Sequence, residues 1–226
     1  MKTAIIIFPG SNCDNEMERF LYAYTKIKPV RIWHKETQLP DVDLFVLPGG
    51  FSYGDYLRAG ALANLSPIVK ELKKTDKKIL GICNGFQILC EAGLLPGTLR
   101  INKTQKFICK PVTIYRGYDK YIIPIAHAEG NYYHPHPAKV SIAYTYAEDV
   151  NGSMNYIAGI WHNNVLGMMP HPERAFESYH CSNDGFKVLD DFMGGPECRS
   201  GGTPSYLNKK LYEKNSSNGL RRRLEL

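Results

Sequence analysis

The chain has 226 residues, of which 43% are hydrophobic and 22% charged, a composition typical of a globular rather than a disordered protein. The longest early apolar run, residues 4–8, is too short for a signal peptide or a membrane span, so we expect a cytoplasmic protein without membrane contact. The net charge is +6, but residues 196–226 hold seven Lys or Arg against three acidic residues. No basic stripe remains elsewhere, which argues against a nucleic-acid partner.

The first two-thirds of the chain alternates between strand-like and helix-like stretches. The pattern predicts strands at 3–8, 30–33, 42–47 and 78–82, and helices at 14–25, 62–74 and 84–92, with Asn12 or Asp14 as the first N-cap. Short β-like runs at 107–109, 122–126, 157–161 and 165–168 indicate a sheet edge and hairpins, and residues 184–193 a closing helix. This alternation predicts an α/β three-layer sandwich with a mostly parallel central sheet.

The composition changes near residue 195. Residues 196–226 contain only eight apolar residues of thirty-one, together with many Gly, Ser and Asn. We therefore expect one domain over residues 1–195, followed by a basic, polar tail that is poorly packed or foreign to the domain.

The cysteines form no C-x-x-C pair, which argues against a zinc ribbon or a redox pair. They are Cys13, Cys83, Cys90, Cys109, Cys181 and Cys198. We expect reduced thiols and no metal site, and the question is whether one of the thiols is a nucleophile.

Cys83 has the context of a nucleophile. Residues 81–85 read G-I-C-N-G between an apolar strand and a helix, which is the cysteine form of the G-x-S-x-G elbow. The helix N-terminus favours the thiolate, and the Asn84 amide can donate to an oxyanion. The alternative is a small core cysteine in a glycine-rich turn, which the local context disfavours.

A base and an orienting carboxylate follow another apolar strand. In P-H-P-E, at 170–173, the spacing places His171 and Glu173 on one side of an extended segment. Glu173 can then hold one tautomer of His171 while the other ring nitrogen faces the thiol. Taken alone, the motif fits an exposed turn with a capping glutamate equally well.

Adjacent glycines at 49 and 50 suggest the second oxyanion donor. They let the amide of Gly50 or Phe51 approach a substrate closely, although a glycine loop alone is a weak signal.

The remaining polar residues near these motifs suggest structural roles. We expect Cys13 to be a structural or site-lining thiol. The flanking prolines favour a surface loop over a metal site for His134 and His136. Tyr53, Asp55 and Arg58 are expected to order a loop or to face a partner.

Several motifs together resemble the triad-type (class I) glutamine amidotransferases over residues 3–193, and among them the glutaminase subunits of phosphoribosylformylglycinamidine synthases. They are P-G-S-N-C-D at 9–14, L-P-G-G-F-S-Y-G-D-Y-L-R-A-G at 47–60, G-I-C-N-G-F-Q-I-L at 81–89, A-H-A-E-G-N at 126–131 and G-M-M-P-H-P-E-R at 167–174. The resemblance implies a flavodoxin-like domain. Relatives often have glycine where Ala128 stands here.

The resemblance also implies roles for individual residues. Cys83 would be the nucleophile, His171 the general base and acid, and Glu173 its orienting carboxylate. The amides of Gly50 and Asn84 would form the oxyanion hole. The remaining substrate-binding residues would be Ser11, Gly49, Phe51, Gln87 and His127.

By the same resemblance, the substrate is glutamine, and the ammonia passes to a separate PurL-like synthetase subunit that uses ATP and Mg²⁺. A small PurS-like subunit would assist assembly, and this chain would need no cofactor of its own. Two alternatives remain open. One is another Cys-His-Glu hydrolase or amidotransferase of the same fold, and the other is a non-catalytic assembly module.

Overall fold

The computed structural model describes residues 1–194, so the predictions for the tail at 196–226 lie outside the described residues. Within 1–194 there are four helices: α1 (Asp14–Thr25), α2 (Pro67–Leu72), α3 (Asn84–Glu91) and α4 (Gly185–Gly194). The strands are β1 (Thr3–Ile7), β2 (Val30–Trp33), β3 (Leu44–Leu47), β4 (Lys78–Ile82), β5 (Thr98–Arg100), β6 (Ile108–Arg116), β7 (Asp119–His127), β8 (Asn131–Tyr133), β9 (Ser141–Tyr146), β10 (Ile157–His162) and β11 (Val165–Met168). In this part of the chain, no helix is both long and apolar enough to span a membrane.

Nine strands form one mixed sheet in the order β2-β1-β3-β4-β11-β10-β9-β6-β7. The strands from β2 to β11 in this order pair in parallel, and those from β11 to β7 pair antiparallel. Strands β5 and β8 form a separate antiparallel pair. The predicted α/β class is confirmed, and the parallel half carries the site.

The parallel half is buried on both faces. Every residue of β3 and β11 is buried, as is expected when helices cover both sides of a parallel sheet. Because β1, β3, β4 and β11 all run in one direction, the loops that follow them meet at a single edge of the sheet. The glycine-containing loops after β1, β3 and β4, at 9–13, 48–54 and 81–85, therefore converge there with the P-H-P-E segment.

The placement of β11 corrects one prediction. The run at 165–168 forms a hairpin with β10, as expected, but β11 lies in the middle of the sheet rather than at its edge, because it also pairs in parallel with β4. Gly167 lies opposite Gly81 in that register. This pairing brings the segment after β11 beside the turn after β4.

Two local predictions are also wrong. The N-cap of α1 is Cys13, without a side-chain capping bond, rather than Asn12 or Asp14. The helix expected over 62–74 is a 3-10 turn at Ala63–Leu65 followed by the shorter α2. Ser66 is extended because the ring of a following proline disfavours helical geometry, so α2 begins at Pro67.

Candidate active site

Cys83 occupies a sharp turn between β4 and α3. Its φ of 52° and ψ of −107° lie outside the usual regions for a non-glycine residue. Such backbone strain is characteristic of functional turns, because the surrounding structure must hold it in place. The Cys83 amide donates to the Met168 carbonyl of β11 at 2.8 Å, and the Cys83 thiol points to the Ala126 carbonyl at 3.6 Å. The elbow predicted from G-I-C-N-G is present.

The glycines of the elbow allow close packing around Cys83. A Cβ on Gly85 would lie 2.0 Å from the Leu47 carbonyl oxygen of β3. A Cβ on Gly81 would lie 2.4 Å from Leu89 of α3. Helix α3 can therefore start directly over the strand ends only because both positions lack a side chain.

His171 and Glu173 form a buried pair. The Nδ1 atom of His171 lies 2.6 Å from Oε1 of Glu173, and the two side chains are almost wholly inaccessible to water. The segment is not extended, as the spacing suggested, but forms a 3-10 turn at Pro172–Arg174 that folds the glutamate back onto the ring. The His171 amide donates to the Pro124 carbonyl of β7 at 2.8 Å, which fixes the backbone of the turn. A buried, bonded Glu173 argues against an exposed capping residue.

The electrostatics link this pair to Cys83. Burial lowers the pKa of His171, but the negative charges of Glu173 and Cys83 outweigh burial and raise the pKa well above its usual value. Nε2 of His171 is buried and has no hydrogen-bond partner within residues 1–194. Because Nδ1 of His171 donates to Glu173, Nε2 is the nitrogen left for the thiol proton.

Two backbone amides are available for an oxyanion. The Asn84 amide opens α3 and belongs to the unpaired donors of a helix N-terminus. The Gly50 amide makes no hydrogen bond within residues 1–194, whereas the Phe51 amide donates to the Gly10 carbonyl at 2.9 Å. Of the two donors considered from the sequence, Gly50 is therefore the free one. A Cβ on Gly49 would lie 2.7 Å from Cε1 of His171, so this loop passes directly beside the His171 ring.

The comparisons with known proteins agree with this geometry. Residues 1–186 match the family described as the CobB/CobQ-like glutamine amidotransferase domain. The chain belongs to this family. The amidotransferase resemblance seen in the sequence is thereby confirmed.

The sequences and structures of individual relatives align with most of this chain. Phosphoribosylformylglycinamidine synthase subunit PurQ from Zymomonas mobilis is 42% identical, over 85% of this chain and 98% of the relative. A chain in the solved structure of PurLQS from Thermotoga maritima is 40% identical with a TM-score of 0.81, over 85% of this chain and 97% of that one. A glutamine amidotransferase from the same organism is 16% identical with a TM-score of 0.54, over 85% and 87% of the two chains, and shows a shared fold.

Of the residues expected to hold the glutamine head group, Gln87 and Ser11 make hydrogen bonds within the protein, whereas Phe51 is exposed. The Gln87 side chain donates to the Glu129 carbonyl at 2.7 Å and accepts from Asn84 at 2.9 Å, which ties α3 to the segment after β7. The Ser11 hydroxyl accepts from the Phe8 amide at 3.0 Å and closes its own loop. Phe51 is exposed beside the site, with its ring 6.4 Å from that of Phe107.

Sequence reasoning missed three residues of the site. Asn102 is buried and bonds the His127 ring, although it stands far from every motif. Burial raises the pKa of Tyr146 on β9, with a further contribution from the charge of Cys83. Burial raises the pKa of Asp55 to about 6, with a further contribution from the charge of Glu129. No motif marks Asn102 or Tyr146, whereas Asp55 was assigned to loop ordering.

Cys13 lies beside His171 and Glu173, a position that fits the site-lining alternative. Its sulfur, His171 and Glu173 offer ligand atoms within 4.8 Å of one another, an arrangement that could hold a metal ion. The site fits a cation poorly, because Arg174 donates to the Cys13 sulfur at 3.1 Å and the glutamate is engaged with the histidine. Burial raises the pKa of the Cys13 thiol, which opposes the thiolate form that metals require.

His134 and His136 form a local turn. The His136 amide donates to Nδ1 of His134 at 3.0 Å, and the two rings lie 6.1 Å apart. This bond uses one of the ring nitrogens that could bind a metal. The arrangement agrees with the surface loop expected from the flanking prolines.

Proposed function

We propose that this chain is the glutaminase subunit of a phosphoribosylformylglycinamidine synthase. The observation that carries the proposal is the strained Cys83 beside the buried, hydrogen-bonded pair of His171 and Glu173. A thiol at the start of a helix, a base held in one tautomer and two free amides suit acyl transfer from an amide. The identity to PurQ over most of both chains supports this choice of complex.

In the first half-reaction, the Cys83 thiolate attacks the side-chain amide carbon of glutamine. The carbonyl oxygen becomes an oxyanion that the Gly50 and Asn84 amides stabilise. His171, which has taken the thiol proton on Nε2, returns that proton to the departing nitrogen. The C–N bond breaks, and ammonia and a γ-glutamyl thioester are formed.

In the second half-reaction, water attacks the thioester carbon. His171 removes a proton from the water through the same nitrogen, while Glu173 stabilises the imidazolium that forms. The C–S bond then breaks, glutamate leaves, and Cys83 is restored. The sum is the hydrolysis of glutamine to glutamate and ammonia, with no net change in the protein.

The ammonia acceptor is a separate subunit. The structural relative is a complex, PurLQS, so we assign a PurL-type synthetase and a PurS-type small subunit as partners. The ATP-dependent step, with its Mg²⁺, then belongs to the PurL-type subunit, which converts formylglycinamide ribonucleotide to the amidine during purine synthesis. We place the assembled complex in the cytoplasm.

The test separates ammonia production from ammonia use. The assembled complex is assayed for amidine synthesis with glutamine and, separately, with ammonium salt. Cys83→Ala is expected to abolish the glutamine-dependent reaction and to leave the ammonia-dependent reaction near the parent rate. Cys109→Ala, which alters an exposed thiol on β6, serves as the matched control and should change neither.

Two outcomes would contradict the proposal. If Cys83→Ala loses both activities in a complex that still assembles, this chain does more than supply ammonia. If the variant keeps glutamine-dependent synthesis, Cys83 is not the nucleophile, and the assembly-module alternative gains support.

A further inference from the structure

Outside Cys83, His171 and Glu173, the buried polar atom that most needs an explanation is Nε2 of His127. The His127 side chain is only 2% exposed, and its Nε2 atom has no hydrogen-bond partner in the part of the chain that the structure describes. Burying a polar atom without a partner is unfavourable, so native proteins retain few such atoms without a use. The residue lies at the end of β7, next to Ala126, whose carbonyl faces the Cys83 sulfur.

Asn102 decides which nitrogen of His127 carries the proton. The Asn102 amide nitrogen lies 2.9 Å from the Lys106 carbonyl and 2.8 Å from the His127 carbonyl, and carbonyls only accept. Its side-chain oxygen accepts from the Gly130 amide at 3.0 Å and faces Nδ1 of His127 at 3.0 Å. This network fixes the amide orientation, so Nδ1 is the donor and Nε2 carries the lone pair.

The ring is also held in place and kept neutral. A Cβ on Gly130 would lie 2.2 Å from Cε1 of His127, so only glycine fits beneath the ring. Burial lowers the pKa of His127 to about 4, and the positive charge of His171 contributes to the decrease. At neutral pH the ring is therefore uncharged, and Nε2 remains an acceptor.

We propose that Nε2 of His127 accepts a hydrogen bond from the side-chain NH₂ group of glutamine, and that Asn102 is the residue that positions it. This inference rests on the proposed function. A carboxamide bound with its oxygen toward the Gly50 and Asn84 amides still has two N–H groups that need acceptors. In the tetrahedral intermediate, the nitrogen would direct its lone pair to the proton on His171 and an N–H to His127.

The same contact selects substrate over product. Glutamate presents a carboxylate oxygen where glutamine presents an N–H, so a lone pair would face the lone pair of Nε2. A site that requires a donor disfavours an analogue that lacks one, because the acceptor of the protein then stays unpaired. His127 should therefore tighten glutamine binding and weaken glutamate binding.

The experiment compares two variants in the assembled synthetase complex. His127→Phe keeps a planar ring without the acceptor, and His127→Gln restores an acceptor oxygen near the position of Nε2. The measured quantity is the glutamate inhibition constant divided by the glutamine KM. We expect this ratio to fall about 10-fold in His127→Phe, with kcat changed less than KM, and to recover at least in part in His127→Gln.

Matched measurements keep the proposal open to refutation. His162→Phe alters an exposed histidine on β10 and should leave the ratio unchanged. A ratio within about 2-fold of the parent in His127→Phe would overturn the proposal. Should that variant not fold, nitrogen NMR of histidine-labelled parent protein decides: a protonated Nδ1 and bare Nε2 on His127 support the assignment, and a protonated Nε2 overturns it. Glutamine turnover by the parent and its loss in Cys83→Ala test the proposed function separately, without any change at His127.

Discussion

At the scale of single residues, the site contains two histidine rings. In each of them a partner residue binds one ring nitrogen and leaves the other free. Nδ1 of His171 is bonded to Glu173, which leaves Nε2 for the proton transfer proposed above. His127 gives one nitrogen to Asn102 and keeps a lone pair. In both rings a buried oxygen selects the tautomer, so in the proposed mechanism each free nitrogen has its role before substrate binds.

Replacing Glu173 by Gln tests the orienting carboxylate. Shape is preserved, but the amide cannot stabilise the imidazolium and can present its NH₂ group to Nδ1, which favours the wrong tautomer. We expect thioester formation to slow by about 10²–10⁴-fold with the fold intact. Rapid-quench measurement of the thioester checks the rate, and circular dichroism checks the fold. Glu177→Gln is the control. Near-parent turnover would show that Glu173 only shapes the turn.

Asp55 provides a test of stability against pH. Burial raises the folded pKa of Asp55 to about 6, above the unfolded value of about 3.9, so ionisation favours the unfolded chain. Its contribution is fully present below about pH 4 and is lost as the pH rises through about 6. We expect Asp55→Asn to raise Tm relative to the parent at about pH 7.5 and hardly at about pH 4.5. The exposed Asp76→Asn is the control, and an equal shift at both pH values would contradict the assignment.

At the scale of elements, the sequence predicted best where patterns are local. The bounds of α1, β2, β4 and β11 agree with the prediction because each is an uninterrupted run between turn residues. The run at 107–109 proved to be the start of the longer β6, which contains Pro111. Pro111 lies opposite Pro124 of β7. Neither proline has an N–H group to donate, and at this pair neither strand needs such a donor from the other.

What the sequence could not supply is the set of contacts between distant segments. Asn102 reaches His127 across 25 positions, and nothing near either residue marks the pair. The motifs gave Cys83, His171 and Glu173, but the folded turn that joins the last two was expected to be extended. Sequence patterns therefore located the proposed catalytic residues, and tertiary packing determined which of their atoms are free.

The loop after β3 is held by a tether outside the site. Tyr53 has a positive φ of 55°, and its hydroxyl lies 3.0 Å from Nδ1 of His34 and 3.4 Å from the Ser66 hydroxyl. Because the loop also carries Gly50, release of Tyr53 should loosen the oxyanion donor. We expect Tyr53→Phe to cost about 1 kcal/mol and about 2–4 °C in Tm.

Kinetics would show whether the tether matters for catalysis. An oxyanion contact acts in the transition state, so kcat should fall several-fold in Tyr53→Phe while KM changes less. Tyr118→Phe, at the exposed turn between β6 and β7, is the matched loss of a hydroxyl. An unchanged kcat in Tyr53→Phe would limit the tether to a role in stability.

At the scale of the whole molecule, the domain proposed for residues 1–195 can be tested by truncation. Residues 196–226 are rich in charged and turn-forming residues and carry most of the net charge. We expect a chain that ends at 195 to unfold within about 1 °C of the full chain and to keep its basal glutaminase activity. A decrease of several degrees in Tm would show that the tail contributes to the domain.

From the exposed apolar residues beside the site, we expect the synthetase to control the glutaminase activity. Leu57 has a φ of 70° and is 80% exposed, a strained and poorly buried position for a bulky apolar residue. Tyr56 and Phe51 are exposed on the same loop, and Phe107 lies against Phe51. A partner that covers these side chains would also fix the loop that carries the Gly50 amide. We therefore expect the free chain to be a poor glutaminase whose activity the partner raises.

The activation should appear in kcat rather than in KM. A single oxyanion donor is worth about 10²–10³-fold in turnover, and the donor contributes little until the tetrahedral intermediate forms. Steady-state assays with and without the synthetase complex should therefore show an increase of that order in kcat and a smaller change in glutamine KM. Leu57→Asp should weaken the activation and leave the basal rate of the free chain unchanged, whereas Tyr118→Asp, at a residue 72% exposed elsewhere, should alter neither. Full turnover by the free chain would show that the loop is already in its active position without a partner.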